Sequence, residues 1–315
     1  MIKFLRKSIL FLAITLFIGF FLQLIIDASI KHSEMGCFQL WNQIIESKIN
    51  SGLIIQGSSR AKEHFNKDYI DSSLKISTCN LGMEGTGFDL QFARFLCYLS
   101  NNKKPKYIIQ NIDCSGTLEN SAFDVDQYLP YLNNKIIRNA TLENKIFNTK
   151  DFYIPLYKYT HNTETKVIIL DGINNMIKNK FGIGAFEKYE PVFKAWDTTF
   201  FSFKKKNISG IYAKVDTSSL NKFNCFLKIC KEENIKVIFV YTPEFIELQK
   251  LTLNRDSIIK IYENFSTKYK VPIFDYSKDS ICLDTINFYN SRHMNNIGVN
   301  KFNLKLINDL KNIIK

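Results

Sequence analysis

The sequence predicts an α/β domain, a mostly parallel sheet with helices on both faces, preceded by one N-terminal transmembrane helix. Three observations predict it. Short apolar runs of strand length alternate along most of the chain with longer stretches of helical spacing, which is the pattern of a parallel sheet with crossover helices. Each strand-length run gives way at once to glycine, serine, threonine, asparagine or aspartate. Finally, Ile9 to Ile26 reads ILFLAITLFIGFFLQLII, uncharged and broken by a single glutamine.

That N-terminal run has about the length needed to cross a bilayer. Lys3, Arg6 and Lys7 precede it, so the positive-inside rule leaves the N-terminus cytoplasmic and exports the remainder. A cleaved signal peptide is the rival reading, but its apolar region is usually shorter and ends at a small-x-small site. Asp27-Ala28-Ser29 is a poor one. Residues 1–28 are therefore expected as an anchor and 29–50 as a linker with a lead-in helix. Residues 51–315 form the exported domain.

Within that domain, Gly52 to Gln56 is a buried strand, and Gly57-Ser58-Ser59-Arg60 follows at once. A polar helical stretch leads to a second strand, Lys75 to Asn80, and to the glycine-rich LGMEGTG. Phe88 to Leu99 is a helix, and Lys106 to Ile112 a third strand ending at Asp113. Residues 116–215 are rich in Tyr, Phe and Asn, with few strand signals, and read as a mainly helical insertion. The alternation then resumes with a helix over Ser218–Asn234, a strand over Lys236–Tyr241 closed by Thr242-Pro243, a helix over Ser257–Tyr269, a short strand over Val271–Phe274 and a final amphipathic helix over Asn296–Ile314.

Composition narrows the function. The formal net charge is +12, from 42 Lys+Arg against 30 Asp+Glu. Such an excess is either a solvated basic surface or an attraction to an anionic one, such as lipid headgroups or an acidic envelope polymer. There is no Arg-rich stripe and no nucleic-acid motif, so nucleic acid is not an expected partner. Seven scattered cysteines, Cys79 and Cys114 among them, form no CxxC pair and no disulfide framework, and read as small buried hydrophobes. The four histidines make no ligand spacing with them, so no metal is expected. No phosphate loop follows the first strand, and no cofactor is expected.

In open α/β sheets the ligand crevice lies beyond the carboxyl ends of the strands. Three such ends carry Gly57-Ser58-Ser59, Asn80 to Gly85 and Asn111-Ile112-Asp113, and Asn290-Ser291-Arg292-His293 comes just before the last helix. A serine on a strand-to-helix turn is how a nucleophile is presented. A histidine far off in sequence can serve as its base, because triads are defined in space.

These four segments resemble the four blocks of the SGNH (GDSL-type) hydrolase superfamily, in that family's order, with a core over residues 51–115 and 216–315. The stretch HMNNIGVNKF is similar to the family's His-Leu-Asn-x-x-Gly ending. The resemblance implies a flavodoxin-like three-layer sheet with Ser59 as nucleophile and His293 as base, and Asn290 at the place of the acid that orients the base. It also implies an oxyanion hole built from the Ser59 and Gly85 N–H groups and the Asp113 position. Arg60, next to Ser59, reads either as a contact to an anionic substrate group or as a helix-surface residue, and Asn111 as a candidate substrate contact. The N-terminal anchor and the Gly-Ser-Ser variant resemble the membrane-anchored branch that acylates or deacylates cell-envelope polymers, as in teichoic-acid D-alanylation and alginate acetylation. The implied partners are a cell-envelope glycan or acylated polymer and a membrane-bound acyl-transfer protein.

Two positions depart from the family pattern. Asn290 can orient His293 but cannot offset an imidazolium charge, and Asp284 is an alternative acid. At Asp113 a carboxylate would repel a developing oxyanion unless protonated or turned away. A slow enzyme and a catalytically impaired binding or scaffold protein both fit these departures. His64 is expected on the surface. Trp196, Tyr189 and Phe186 read either as core or as platforms for sugar rings.

Overall fold

The computed structural model describes residues 1–161, 164–178 and 188–314. Helices α1 (Ile2–Lys31) and α2 (Phe38–Ile45) lead into β1 (Leu53–Gln56), α3 (Ser59–His64), α4 (Lys67–Leu74), β2 (Thr78–Asn80), α5 (Phe88–Asn101) and β3 (Tyr107–Ile112). Then come α6 (Lys135–Glu143), α7 (Thr149–Tyr153), α8 (Thr165–Ile177) and α9 (Thr199–Lys206). The alternation closes with α10 (Thr217–Glu232), β4 (Lys236–Tyr241), α11 (Ile246–Leu251), α12 (Arg255–Tyr269), β5 (Ile273–Asp275) and α13 (Asn296–Leu310).

Two compact units divide these elements. One comprises Met1–Lys48 with Asp124–Ala185, the other Ile49–Phe123 with Phe186–Lys315. The stretch expected as one insertion over 116–215 is thus shared between them.

The second unit holds the sheet. All its pairings are parallel and the strand order is β2-β1-β3-β4-β5, the flavodoxin-like doubly wound order. Strands buried on both faces need apolar residues at every position rather than alternate ones, and β1 and β3 are buried throughout. Leu53, Ile55, Ile109 and Val240 pack on one face with Phe65, Phe302 and Leu306, from the α3 and α13 side. On the other face Phe239 meets Phe223 of α10 at 5.5 Å and Tyr262 of α12 at 6.4 Å between ring centroids. Order reverses at β1, which has β2 on one side and β3 on the other, so the crevice of this sheet lies off the carboxyl ends of β1 and β3.

Element ends shift by a few residues. Strand β2 starts at Thr78 because Lys75 caps α4 in a left-handed conformation, φ 51. The short α11 has no counterpart in the sequence reading. Its Leu248 and Leu251 bury against Phe245 and Phe200, a satellite cluster that stabilises a helix too short to show a period. Five of the seven cysteines, Cys79 and Cys114 included, are buried.

The first unit contains α1, the one helix among the described residues long and apolar enough to cross a membrane, with mean hydropathy 2.8 over its most apolar window. Its polar residues near the C-terminal end are held by the chain's own groups. Lys158 Nζ lies 2.7 Å from Asp27 Oδ1, and both are buried. Burial pulls the Lys158 pKa down, with Asp27 opposing.

Candidate active site

Gly57 ends β1 with φ +150, and a Cβ there would lie 2.8 Å from the side chains of both Ala61 and Asn111. Only glycine lets the chain turn this tightly between strand and helix. The turn places Ser59 as the first residue of α3. The loop after β2 is laid against the same turn. Met83 N–H donates to Gly57 O at 2.9 Å, and Asn80 Nδ2 donates to Ala61 O at 2.8 Å. A Cβ on Gly82 would stand 2.4 Å from Lys62 N, so this loop approaches α3 as closely as a backbone can.

Ser59 Oγ lies 2.7 Å from His293 Nε2. His293 Nδ1 lies 3.0 Å from Asn290 Oδ1. The same oxygen accepts the backbone N–H groups of Arg292 and His293, each at 2.9 Å. Three donors on one atom identify it as the amide oxygen, so Nδ1 carries the proton and Nε2 turns its lone pair to Ser59. The imidazole is poised to accept the serine proton. Burial, and then the nearby Arg60 and Arg292 guanidinium groups, lower the His293 pKa to about 4. The ring is therefore neutral at neutral pH.

The loop carrying His293 is tied down on several sides. Tyr289 N–H donates to His293 O at 3.1 Å, and the two rings stack at 5.5 Å with 10° between planes. Tyr289 OH donates to Glu63 Oε2 at 2.6 Å. Glu63 sits one helical turn after Ser59, so this bond links the α3 helix to the histidine loop. Asn295 caps α13 by accepting Ile297 N–H and Gly298 N–H at 3.0 and 3.2 Å. A Cβ on Gly298 would meet Asn287 O at 2.2 Å. The His-Met-Asn-Asn-Ile-Gly stretch is thus a cap followed by a close backbone approach.

Several residues sit elsewhere than the sequence suggested. His64 is fully buried, not on the surface. Its Nε2 accepts Met294 N–H at 3.0 Å, so Nδ1 bears the proton donated to Thr242 Oγ1 at 2.9 Å. Burial, then Arg60 and His293, hold its pKa well below the usual imidazole value. Arg60 turns into the protein rather than to the surface. Its side chain is 5% exposed, with Nε on Thr242 Oγ1 at 3.1 Å and Nη1 near Glu244 at 3.5 Å. Burial works against its charge, yet Glu244 keeps its pKa above the ordinary value. Asn111 is fully buried and its amide donates to Val240 O at 3.0 Å, across to β4.

Asp113 is buried against Ser58, the residue before Ser59. Its carboxylate accepts Ser58 Oγ and Thr117 N–H, each at 2.9 Å. Burial raises its pKa, with Arg60 opposing. Both oxygens are thus committed to the protein, contrary to the expectation of a group lining an oxyanion hole. Gly85 lies in the loop after β2 with φ +55, where a Cβ would stand 2.7 Å from Phe123 Cβ. Asp284 caps a 3-10 turn through Ile286 N–H at 2.9 Å, while Asn290 occupies the place beside His293.

Arg292, Tyr289 and Glu63 were not singled out from sequence. Arg292 Nη1 donates to Ser115 Oγ, which sets a cation beside His293. Its adjacency to the histidine was the available signal. Part of the expected insertion also reaches this region. Asp197 N–H donates to Tyr289 O at 2.9 Å, and Lys194 Nζ stands 5.8 Å from the Tyr289 ring centroid. Trp196 packs on Phe245 with centroids 5.0 Å apart and Tyr189 against the main core. Phe186 lies outside the described residues.

No family model matches the chain, and no curated protein matches it either. Among solved structures it is similar to a presumed acylhydrolase from Bacteroides fragilis, at 11% identity over 82% of this chain and 87% of that one, with TM-score 0.36. It is similar also to a presumed lipolytic protein of the G-D-S-L family from Desulfitobacterium hafniense, at 9% identity, 82% and 99% coverage and TM-score 0.39. A GDSL-like lipase from Bacteroides thetaiotaomicron gives 10% identity, 86% and 97% coverage and TM-score 0.39. Likeness this distant carries no argument about the present chain, whose own geometry does.

Proposed function

We propose that this chain is an SGNH-type serine esterase or O-acyltransferase, anchored by α1, that acts on an acylated cell-envelope glycan or polymer. The observation that carries the reading is the continuous relay from Ser59 Oγ through His293 to Asn290 Oδ1, at 2.7 and 3.0 Å, at the carboxyl end of the sheet. A serine and a histidine meeting there in the base-ready tautomer is the arrangement that nucleophilic acyl transfer needs.

In this mechanism Ser59 Oγ attacks the ester carbonyl carbon as its proton passes to His293 Nε2. The carbonyl oxygen becomes an oxyanion, with the Ser59 and Gly85 N–H groups as its donors. The intermediate collapses to an acyl-serine, and the departing alkoxide takes the proton from His293. Water, or a sugar hydroxyl, then attacks the acyl-serine by the reverse sequence. The base is weak for three reasons. Burial disfavours the charged ring, Arg60 and Arg292 oppose the imidazolium, and Asn290 supplies an acceptor but no negative charge. Turnover is therefore slow, and the substrate's own charge becomes relevant. An anionic polymer close to Arg292 would offset the cost of the imidazolium.

The test uses the purified full chain, a fluorophosphonate probe and p-nitrophenyl acetate. The expected result is a single phosphonylated residue, Ser59, with ester turnover lost in Ser59→Ala. If the folded chain takes no probe and hydrolyses no ester or acyl donor, it is a binding or scaffold protein of envelope assembly.

A further inference from the structure

The first unit has a surface that the catalytic reading does not use. After α7 the chain returns along α1 far inside its apolar run. A Cβ on Gly19 would lie 3.0 Å from the Pro155 ring, and Leu156 N–H donates to Gln23 Oε1 at 2.8 Å. Tyr159 OH bonds Asp27 Oδ1 at 2.6 Å. Gly19 precedes the end of the apolar run at Ile26 by about 10 Å of helix, at roughly 1.5 Å per residue. Whatever medium surrounds Gly19 therefore surrounds Pro155 as well. The polar groups on this side of α1, Gln23 and Asp27, are satisfied by protein partners rather than left to water, as a hydrocarbon environment requires.

Helix α8 continues the same surface. One side packs on α1: a Cβ on Gly172 would meet Ser29 O at 1.9 Å, Ser29 Oγ donates to Ile169 O at 3.1 Å, and Asn175 Nδ2 donates to His32 O at 3.1 Å. The opposite side presents Val167, Leu170, Ile173 and Ile177, exposed by 54, 66, 37 and 77%. These follow one another at three- and four-residue steps, so they form one stripe. A helix packed on protein by one side should turn polar residues outward in water. This one turns out aliphatic ones, flanked by exposed Lys166 and Lys178. Tyr153 and Ile154, just before Pro155 in the chain, are also exposed apolar side chains of this unit, at 70 and 46%.

We infer that α8 and Tyr153–Leu156 form a second membrane contact, seated in the headgroup and upper acyl region of the leaflet at the C-terminal end of α1. The inference rests on α1 as a membrane span. The occupant is lipid because α8 packs on α1 just past the end of the apolar run and because Pro155 lies beside Gly19, within that run. Flanking lysines and the net charge of +12 favour an anionic leaflet. Two contacts instead of one fix the tilt and rotation of the first unit against the bilayer, which a lone helix on a linker leaves free.

The test places the full chain in vesicles of phosphatidylethanolamine and phosphatidylglycerol doped with a phospholipid carrying an acyl-chain diazirine. Photolysis should put lipid adducts on α1, on Tyr153–Leu156 and on the outward residues of α8. In the same vesicles, Leu170→Cys and Ile177→Cys should react with a membrane-impermeant maleimide many-fold more slowly than the exposed Cys225. Adducts confined to α1, with both introduced thiols reacting as fast as Cys225, overturn the inference and leave the anchor standing. Absence of adducts from α1 itself removes the anchor and the inference together. Protected thiols without lipid adducts, in a chain that runs as a dimer, assign the stripe to a second copy and also overturn it.

Discussion

At the scale of single residues, the proposed site is a serine–histidine pair in hydrogen-bond contact whose base has an amide, not a carboxylate, behind it. Replacing Asn290 with Asp keeps the acceptor for all three N–H groups and adds the missing charge. Asn290→Asp should therefore raise ester turnover by roughly tenfold or more, within the usual range for general-base effects, while Ser59→Ala abolishes it. An unchanged rate in Asn290→Asp would mean that proton transfer to His293 does not limit turnover. The lowered His293 pKa sets the acid limb of the pH profile. The neutral ring is the active form, so kcat/KM should hold down through pH 5 and fall with a midpoint of about 4. A midpoint at the ordinary 6.5 would show a solvated histidine. The same shift makes the fold acid-sensitive. The unfolded chain binds this proton below about 6.5 and the folded chain only below about 4, so stability declines as pH falls across that window. From sequence, Asp113→Asn would be a way to restore an oxyanion donor. The structure removes that expectation: the carboxylate already serves Ser58 and Thr117, and the rate of Asp113→Asn should stay close to wild type.

At the scale of elements, the proposed chemistry depends on how α3, the loop after β2 and the loop before α13 meet. Gly57 is where the first of these joints is made. Gly57→Ala puts a side chain into a left-handed conformation and against Ala61 and Asn111 at 2.8 Å. It should cost about 1–3 kcal/mol of stability, read as a lower midpoint in urea. It should also slow fluorophosphonate labelling of Ser59, because the turn cannot move without carrying the serine away from His293. A variant with wild-type stability and labelling would show that the turn relaxes freely. The residues that sequence reading passed over belong to this scale. Tyr289 and Glu63 brace one loop against one helix, and His64 holds Met294 N–H beside the catalytic ring. None of them needs to touch substrate, and none carries a motif.

For the whole molecule, α1 carries an uncharged apolar run, Ile9 to Ile26, whose large residues are mostly exposed in the isolated chain. If it spans a bilayer, burial of that surface is not screened by ions. The protein should fractionate with membranes, remain there in high salt and come off only with detergent. Release by salt alone, or a mature N-terminus near Ser29, would falsify the anchor.

The sequence by itself determined the alternation of strands and helices, the apolar N-terminal helix and the loops bearing Ser59 and His293. Each is written in local periodicity, in turn residues or in an uncharged run, and each survives whatever the rest of the chain does. Only the tertiary structure decided which way Arg60, His64, Asn111 and Asp113 face. A residue after a strand can point into the crevice or into the core, and the choice is made by what packs on its other side. Arg60 found Thr242, which is 182 positions away, and Ser59 found His293 across 234. The stretch over 116–215 was legible as mainly helical, but its division between two units was not. Its helices are short and their apolar faces acquire meaning only from the surfaces they cover, as α8 does on α1.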